Sequence, residues 1–168
     1  MEIRIATNAD LPQIAQLYRD NHRKTYRGLL SEAYFEKLTH EYCLKKWQQY
    51  LAQAERKVWV AYENAQFLGF TAAMADEALE NTWYLDSLQV GENTRGKGVG
   101  TALIRTVGAY ALAHGYKQMS ICIVRGNDRA GRLYQKLGAE HFAYFQDDFC
   151  GTISDSEKLL WKDLSVFG

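Results

Sequence analysis

The fold is decided by the stretch Gln89-Val90-Gly91-Glu92-Asn93-Thr94-Arg95-Gly96-Lys97-Gly98-Val99-Gly100-Thr101. An apolar run, residues 83–90, leads into it and predicts a buried strand. A helix is predicted directly after it, because Val99, Leu103 and Val107 recur at roughly helical spacing. Glycine occupies every second position from Gly96 to Gly100, so the connecting backbone can adopt positive φ angles and let a ligand approach closely.

This turn is suited to bind an anion. The first amides of a helix have no acceptor within the helix and carry about half a positive charge. Arg95 and Lys97 add cationic side chains. Strand, glycine turn and helix N-terminus together therefore predict a site for phosphate or pyrophosphate. The alternative, a turn that only joins a strand to a helix, has no need of alternating glycines beside Arg and Lys.

Two common phosphate-binding motifs do not match this turn. The phosphate loop G-x-x-x-x-G-K-[ST] agrees at Gly91, Gly96 and Lys97, but Gly98 stands where a hydroxyl is needed to hold magnesium. The dinucleotide motif G-x-G-x-x-G fails because the third glycine comes one position early. A nucleotide triphosphatase is therefore a weak hypothesis, which magnesium-dependent ATP turnover would revive.

The pattern does resemble the GNAT N-acetyltransferase superfamily, in two places and in the family's order. Residues Arg95 to Gly100 are similar to the signature Gln/Arg-x-x-Gly-x-Gly/Ala. Residues Asn127 to Gly138 are similar to the helix Asn-x-x-Ala-x-x-x-Tyr-x-x-x-Gly. The opening Ile-Arg-Ile-Ala-Thr-x-x-Asp-Leu-Pro-x-Ile also resembles the usual start of the family. The resemblance covers almost the whole chain and is weakest over residues 23–54.

The periodicity of the remaining sequence predicts a mixed α/β fold in one domain, residues 1–168. Strands are expected at residues 2–6, 57–62, 66–75, 83–90, 117–124, 140–146 and 158–164. Helices are expected after Pro12, over residues 31–54 with a break near His40, after Gly98 and over residues 127–137. Residues 23–30 and 147–157 are predicted to be connections. The order β-α-α-β-β-β-α-β-α-β-β indicates an α/β (α+β mixed) sheet with helices on both faces, and the resemblance implies the acyl-CoA N-acyltransferase fold.

Composition excludes several classes of protein. Lys plus Arg and Asp plus Glu are both 20, so the formal net charge of zero argues against nucleic-acid and membrane-surface binding. The N-terminus lacks the form of a secretory signal, and a cytoplasmic protein is expected. Neither the histidines nor the cysteines have metal-ligand spacing, so no metal site and no disulfide framework are expected. The cysteines are Cys43, Cys122 and Cys150.

The resemblance implies acetyl-CoA as the acetyl donor. The main chain of the glycine turn would bind the pyrophosphate, and the edge of the preceding strand would pair with the extended pantetheine arm. One of Arg129, Arg132 and Lys136 would reach the 3′-phosphate. The expected cofactor-binding residues are Leu88, Gln89, Val90, Arg95, Gly96, Lys97, Gly98, Val99, Gly100, Thr101, Asn127, Arg129 and Tyr134. Asn127 is also a good helix N-cap, a role compatible with this one.

Catalytic roles follow from the same resemblance. The amide of Leu88 would donate to the thioester carbonyl, and Tyr134 would protonate the leaving thiolate as a general acid. The two-residue period places Tyr84, Asp86 and Leu88 on one face of the strand. Asp86 is therefore the candidate general base, directly or through water, with Glu80 as a second candidate. Structural roles are the alternatives: a charge pair for Asp86 and core packing for Tyr134.

The acceptor is expected to be a primary amine of a small molecule, bound near Tyr26, Tyr84 and Asp86. Acidic residues over 147–157 suggest a cationic amine, although solvated loop charge explains them as well. A protein N-terminal or lysine acetyltransferase is the alternative acceptor class. A catalytically silent acyl-CoA-binding sensor is the alternative of another class. Homodimers occur in the family.

Overall fold

A computed structural model describes residues 1–149 and 151–168, which form twelve main helices and strands. The prediction for Cys150 lies outside the described residues. The strands are β1 Glu2–Ile5, β2 Lys57–Glu63, β3 Gln66–Ala75, β4 Thr82–Val90, β5 Gln118–Val124, β6 Glu140–Phe149 and β7 Thr152–Trp161. The helices are α1 Leu11–Thr25, α2 Glu32–Lys37, α3 His40–Leu51, α4 Val99–Ala113 and α5 Asp128–Lys136.

The described strands form one seven-stranded sheet in the order β1-β2-β3-β4-β5-β7-β6. Only the pair β4 and β5 is parallel, and the other neighbours are antiparallel. The predicted mixed α/β sheet is thus confirmed. No helix within residues 1–149 and 151–168 combines the length and the apolar character needed to cross a bilayer.

Helices cover both faces of the sheet, as predicted. On one face, α1, α2 and α3 enclose an apolar cluster that includes Ile14, Trp47 and Phe70. On the other face, α4 and α5 pack on a cluster that includes Leu85 and Ile104. Burying both faces of the central strands explains why their sequences are continuously apolar rather than alternating.

The helical half of the chain differs from the prediction at the end of α1, whereas the predicted break near His40 is present. Helix α1 continues to Thr25, although residues 23–30 were predicted to be a connection. The rings of Tyr18, His22 and Tyr26 contact one another at a spacing of four residues, so a histidine continues the apolar face. The second helical region is two helices, because Ser31 caps α2 and Thr39 caps α3 through their side-chain oxygens.

The segment 147–157 was wrongly predicted to be a polar connection. Strands β6 and β7 pair from Glu140↔Leu160 to Phe149↔Thr152, with one register shift between His141 and Ala143, and form a long hairpin. The hairpin lies at one edge of the sheet, and Tyr144 and Ile153 are about 60% exposed. With little apolar surface to bury, its sequence lacks the alternation that marks a strand.

Strands β4 and β5 separate before they end. They are paired only from Thr82↔Gln118 to Leu85↔Ile121, whereas β4 continues to Val90 and β5 to Val124. Strand β3 still pairs with β4 as far as Val90. One edge of β4 is therefore open beyond Leu85, in the middle of the sheet.

A buried carboxylate fixes the start of α1 to the edge of the sheet. Asp10 is 2% exposed and accepts hydrogen bonds from both terminal nitrogens of Arg4, from the Thr7 amide and from the Tyr62 hydroxyl. Desolvation is the largest single effect and raises the pKa of Asp10. The hydrogen-bond donors together outweigh it and lower this pKa to about 2. The ionised form therefore stabilises the fold above the unfolded pKa, and this contribution is lost as the pH falls toward 2.

We expect Asp10→Asn to lower the free energy of unfolding by about 2 kcal/mol at pH 7, because the amide gives up the charge-assisted bonds. The measurement is urea denaturation of wild type and variant between pH 7 and pH 3, and the difference should narrow as the pH falls. Asp20→Asn is the control, because Asp20 lies on the helix surface, where its carboxylate accepts from the neutral side chain of Gln16. A loss that is the same at every pH would contradict the assignment.

Candidate functional site

The opening between β4 and β5 leads into a cavity of about 740 Å3. The C-terminal half of α1 and part of α3 close one side, and the glycine turn with the starts of α4 and α5 closes the other. Side chains from β5, β6 and β7 complete the wall. The cavity therefore spans the thickness of the sheet and joins the two predicted subsites.

The glycine turn has free amides. Gly96 and Gly98 have φ angles of +80° and +81°, and Gly98 is the N-cap of α4. Within the described residues, the amides of Gly96, Gly98 and Val99 donate to no protein acceptor. The amides of Gly100 and Thr101 are likewise free, since Ala102 is the first to bond within the helix.

Two neighbouring amides of the turn are engaged. Arg95 N donates to Glu92 O and Lys97 N donates to Thr94 O, both at 3.4 Å. Lys97 is exposed and does not line the cavity, whereas Arg95 does. The cradle therefore consists of main-chain donors with one cationic side chain beside them.

The open edge of β4 also presents amides. Gly91 N donates to Leu68 O at 2.8 Å, in the direction of β3. Because successive amides of a strand point to opposite edges, Gln89 N also faces β3, and the amides of Leu88 and Val90 face the opening. An extended ligand lying in the cavity would therefore meet free donors along β4.

A β-bulge at Asp86 overturns the predicted alternation of β4. Leu85 pairs with Ala73, and Ser87 pairs with Ala72, so Asp86 is an extra residue with no partner in β3. The extra residue reverses the side-chain pattern after it. The prediction that Tyr84, Asp86 and Leu88 share a face is wrong, because Leu88 packs with Val99 and Leu103 on the α4 side.

Asp86 instead projects into the cavity on the side of α1 and α3, close to Lys46 and the hydroxyls of Tyr50 and Tyr84. Desolvation is the largest influence and raises the pKa of Asp86, while the charge of Lys46 and both hydroxyls oppose it. The Tyr50 hydroxyl is buried without a hydrogen bond of standard geometry, so its effect on Asp86 acts at longer range. Asp86 is therefore a more basic carboxylate than usual and remains open to the cavity.

The other titratable groups nearby are poorer proton acceptors or nucleophiles. Burial lowers the pKa of His22 to about 3, and its Nδ1 lies 2.8 Å from the Tyr34 hydroxyl. Burial also raises the pKa of Cys122, which keeps this thiol protonated at neutral pH. Asp86 is consequently the strongest candidate for a base in the cavity.

Tyr134 lies on the cofactor side of the cavity. It is 6% exposed, and its ring packs edge-on against Trp161. Its hydroxyl makes no hydrogen bond with any described residue. Desolvation raises the pKa of Tyr134, with a smaller effect from Tyr26, so the phenol is protonated at neutral pH. The core-packing role and the predicted role at the site are therefore compatible.

Helix α1 is attached to the wall of the cavity by Asn21. This side chain is 5% exposed, and its Nδ2 donates to Gln89 Oε1 and Val90 O, both at 3.1 Å. At the C-terminal end of α1, the hydroxyl of Tyr26 interacts with the Asn127 side chain. Asn127 occupies the N-cap position of α5, but its side chain makes no capping bond.

The structure brings almost all predicted site residues together. The predicted residues that do line the cavity are Tyr26, Tyr84, Asp86, Leu88, Gln89, Val90, Arg95, Gly96, Gly98, Val99, Gly100, Thr101, Asn127, Arg129 and Tyr134. Lys97 does not line it, and neither do Glu80 and Arg132. Glu80 precedes the paired start of β4, at the far end from the opening.

Of the acidic residues at 147–157, only Asp147 lines the cavity. Asp148 accepts from the Gly151 amide, Asp155 from the Gln146 side chain, and Glu157 pairs with His141. The solvated-charge interpretation therefore fits most of this group. The predicted attraction for a polycation is correspondingly weaker.

Sequence reasoning offered Tyr26 and one or two aromatics of the second helical region, a group that includes Trp47, as walls of the acceptor pocket, but it missed the polar side chains that α1 and α3 contribute. Asn21, His22 and Lys46 line the cavity together with Tyr18, Thr25 and Trp47. The four-residue spacing of Tyr18, His22 and Tyr26 was the available signal. The sequence contains no comparable signal for Lys46, because a single lysine on a polar helix face is ordinary.

Comparison with known proteins identifies the family. The model of the acetyltransferase (GNAT) family matches residues 12–139. Human N-acetylaspartate synthetase is 31% identical over 119 residues, which are 71% of this chain and 39% of that protein. This chain thus spans well under half the length of the N-acetylaspartate synthetases it matches.

Solved structures share the fold across nearly the whole chain. A ribosomal-protein-alanine N-acetyltransferase from Brucella melitensis has a TM-score of 0.76 at 23% identity, covering 95% of this chain and 98% of that one. A putative acetyltransferase from Salmonella typhimurium, solved with its cofactor acetyl-CoA, has a TM-score of 0.73 at 21% identity, covering 96% and 93%. Because the family model covers residues 12–139 of the chain, the protein belongs to the GNAT acetyltransferase family.

Proposed function

We propose that this protein transfers the acetyl group of acetyl-CoA to a primary amine of a small molecule by direct attack. The observation that carries the proposal is a row of free amides within the described residues: Leu88 and Val90 on the open strand edge, then Gly96 and Gly98 to Thr101 at the start of α4. An extended chain ending in a pyrophosphate is complementary to donors arranged in this way.

The residues present fit acetyl-CoA. The amides of Gly96 and of Gly98 to Thr101 would hold the pyrophosphate, and those of Leu88 and Val90 would pair with the pantetheine arm. Arg129 and Lys136 line the same part of the cavity and supply charge for the 3′-phosphate. Bound there, acetyl-CoA supplies an acetyl group activated as a thioester.

Asp86 is the proposed general base. An ammonium ion has no lone pair, so the acceptor must lose a proton before its nitrogen bonds to the acetyl carbon. The raised pKa of Asp86 makes it a better acceptor of that proton than an ordinary aspartate, either directly or through a water molecule. The bulge matters here because it places this side chain in the cavity.

Leu88 and Tyr134 are proposed to stabilise the negative charge that develops before and while the carbon–sulfur bond breaks. The Leu88 amide faces the opening and would donate to the carbonyl oxygen, a contribution typically worth about 3 kcal/mol of barrier. The Tyr134 hydroxyl, which has no hydrogen-bond partner among residues 1–149 and 151–168, would give its proton to the sulfur. The desolvation that raises the phenol's pKa would raise that of a departing thiolate in the same cavity.

The names of similar proteins do not identify the acceptor. One is an N-acetylaspartate synthetase, and another is a ribosomal-protein-alanine N-acetyltransferase. The part of the cavity lined by Asp86, Lys46 and Asp147 is here called the acceptor arm. It is enclosed by α1, α3 and the β6–β7 hairpin, which favours a small molecule over a folded protein. A protein or peptide amine is the second candidate class. A silent acyl-CoA-binding domain would bind the cofactor without needing Asp86 in the cavity.

The test is steady release of free CoA thiol from acetyl-CoA in the presence of a panel of small amines and peptides. Thiol release with a small amine supports the proposal. Release with peptides alone would move the protein to the second class. A rise in melting temperature with acetyl-CoA, without turnover of any amine, would indicate the silent domain.

Gly98→Val should abolish acetyl-CoA binding. A β-branched residue is strained at a φ of +81°, and its side chain would occupy the space above the free amides. The measurement is the shift in melting temperature with saturating acetyl-CoA. Gly115→Val is the control, because Gly115 has a φ of +83° in equally open surroundings away from the cavity. Both variants should lose stability, and a normal shift in the Gly98 variant would count against the cradle.

Asp86→Asn should lower kcat/KM about 100-fold or more while the acetyl-CoA shift is kept, because the amide accepts no proton. In wild type, kcat/KM should rise with pH through the raised pKa of Asp86, since only the ionised carboxylate is active. In the Asp86→Asn variant, kcat/KM should no longer show this rise with pH. Glu80→Gln is the control, and a larger loss in that variant would reassign the base.

Tyr134→Phe should lower kcat more than it weakens acetyl-CoA binding. The ring would still pack against Trp161, so the fold and the cavity are expected to be preserved. Turnover measured with the best acceptor, alongside calorimetry with CoA, separates the two effects. Unchanged turnover would leave Tyr134 with packing alone.

A further inference from the structure

Lys46 is a cation in the acceptor arm that the proposed chemistry does not use. It lies on α3 and lines the cavity between the aromatic residues of α1 and Asp86. Its charge is the first of the influences that lower the pKa of Asp86, and it also lowers the pKa of His22. Its ammonium group is therefore close to both sides of the acceptor arm.

No carboxylate neutralises this lysine directly. Within residues 1–149 and 151–168, Lys46 takes part in no ion pair or hydrogen bond. Its Nζ lies 5.8 Å from the centre of the Tyr18 ring and 5.5 Å from that of Trp47. These rings hold the ammonium by cation–π attraction and leave its donors free.

The acceptor arm thus contains charges of opposite sign on different walls. Asp86 projects from β4, Asp147 from β6 and Lys46 from α3. A purely cationic amine entering this space would be repelled by Lys46 at short range. A molecule with an ammonium at one end and an anionic group at the other would face an opposite charge at each end.

We infer that the acceptor is an amine that also carries a carboxylate, such as an amino acid, and that Lys46 binds this carboxylate while Asp86 receives the proton from the amine. This inference rests on the proposed acetyl transfer and specifies its substrate class. Lys46 is a specificity-determining residue in this assignment. Its neighbour Lys45 is exposed on the same helix and lies outside the cavity.

The experiment compares acceptors that differ only in the carboxylate. Amino acids, their carboxamides and the corresponding decarboxylated amines are assayed with acetyl-CoA by release of CoA thiol. For the best acceptor, wild type should prefer the acid by about tenfold or more in kcat/KM, as expected for a charge-assisted contact. Lys46→Met should lose most of this preference, chiefly through a higher KM for the acid.

Lys45→Met is the matched control and should keep the preference, while Lys46→Arg should retain part of it. The inference is overturned if wild type acetylates the amides and amines as well as the acids. It is also overturned if Lys46→Met lowers kcat/KM equally for both members of a pair. Failure of the proposed function is a different result: no acceptor of any kind releases thiol, and acetyl-CoA leaves the melting temperature unchanged.

Discussion

The separation of β4 from β5 is the constraint on which the site depends. A strand in the middle of a sheet normally has both edges paired, because unpaired amides away from water cost free energy. Here β4 loses its parallel neighbour after Leu85 while β3 continues to hold it in place. The resulting free amides are rigid, which lets them act as preformed donors without the entropy cost of ordering a loop.

Three elements keep this opening from closing. Helix α4 packs under β4 through Val99 and Leu103, and Asn21 joins α1 to Gln89 and Val90 from above. On the far side, β7 pairs with β5 from Met119 to Val124 and keeps it away from β4. None of these contacts takes part in the proposed proton transfers, yet together they set the width of the cavity.

The bulge at Asp86 links the fold to the proposed mechanism. It adds one residue to β4, so the apolar side chains before and after it both reach the α4 side of the sheet. The extra residue is then free to project into the cavity beside Lys46 without disturbing either core. Desolvation at that position raises the pKa of Asp86, whereas the paired carboxylate of Asp10 has a lowered pKa in the same protein.

The sequence by itself determined the turn and its neighbours, because glycines at alternate positions and apolar periodicity are local signals. From these signals the mixed sheet and the cradle from Arg95 to Thr101 were predicted, while Asp86 and Tyr134 were named because the sequence resembles the GNAT family. Only the tertiary structure decided the face on which Leu88 lies, since a bulge depends on the partner strand. It also decided that Lys46 and Asn21 belong to the site, because residues of α1 and α3 reach the cavity through packing across the sheet, which no local pattern records.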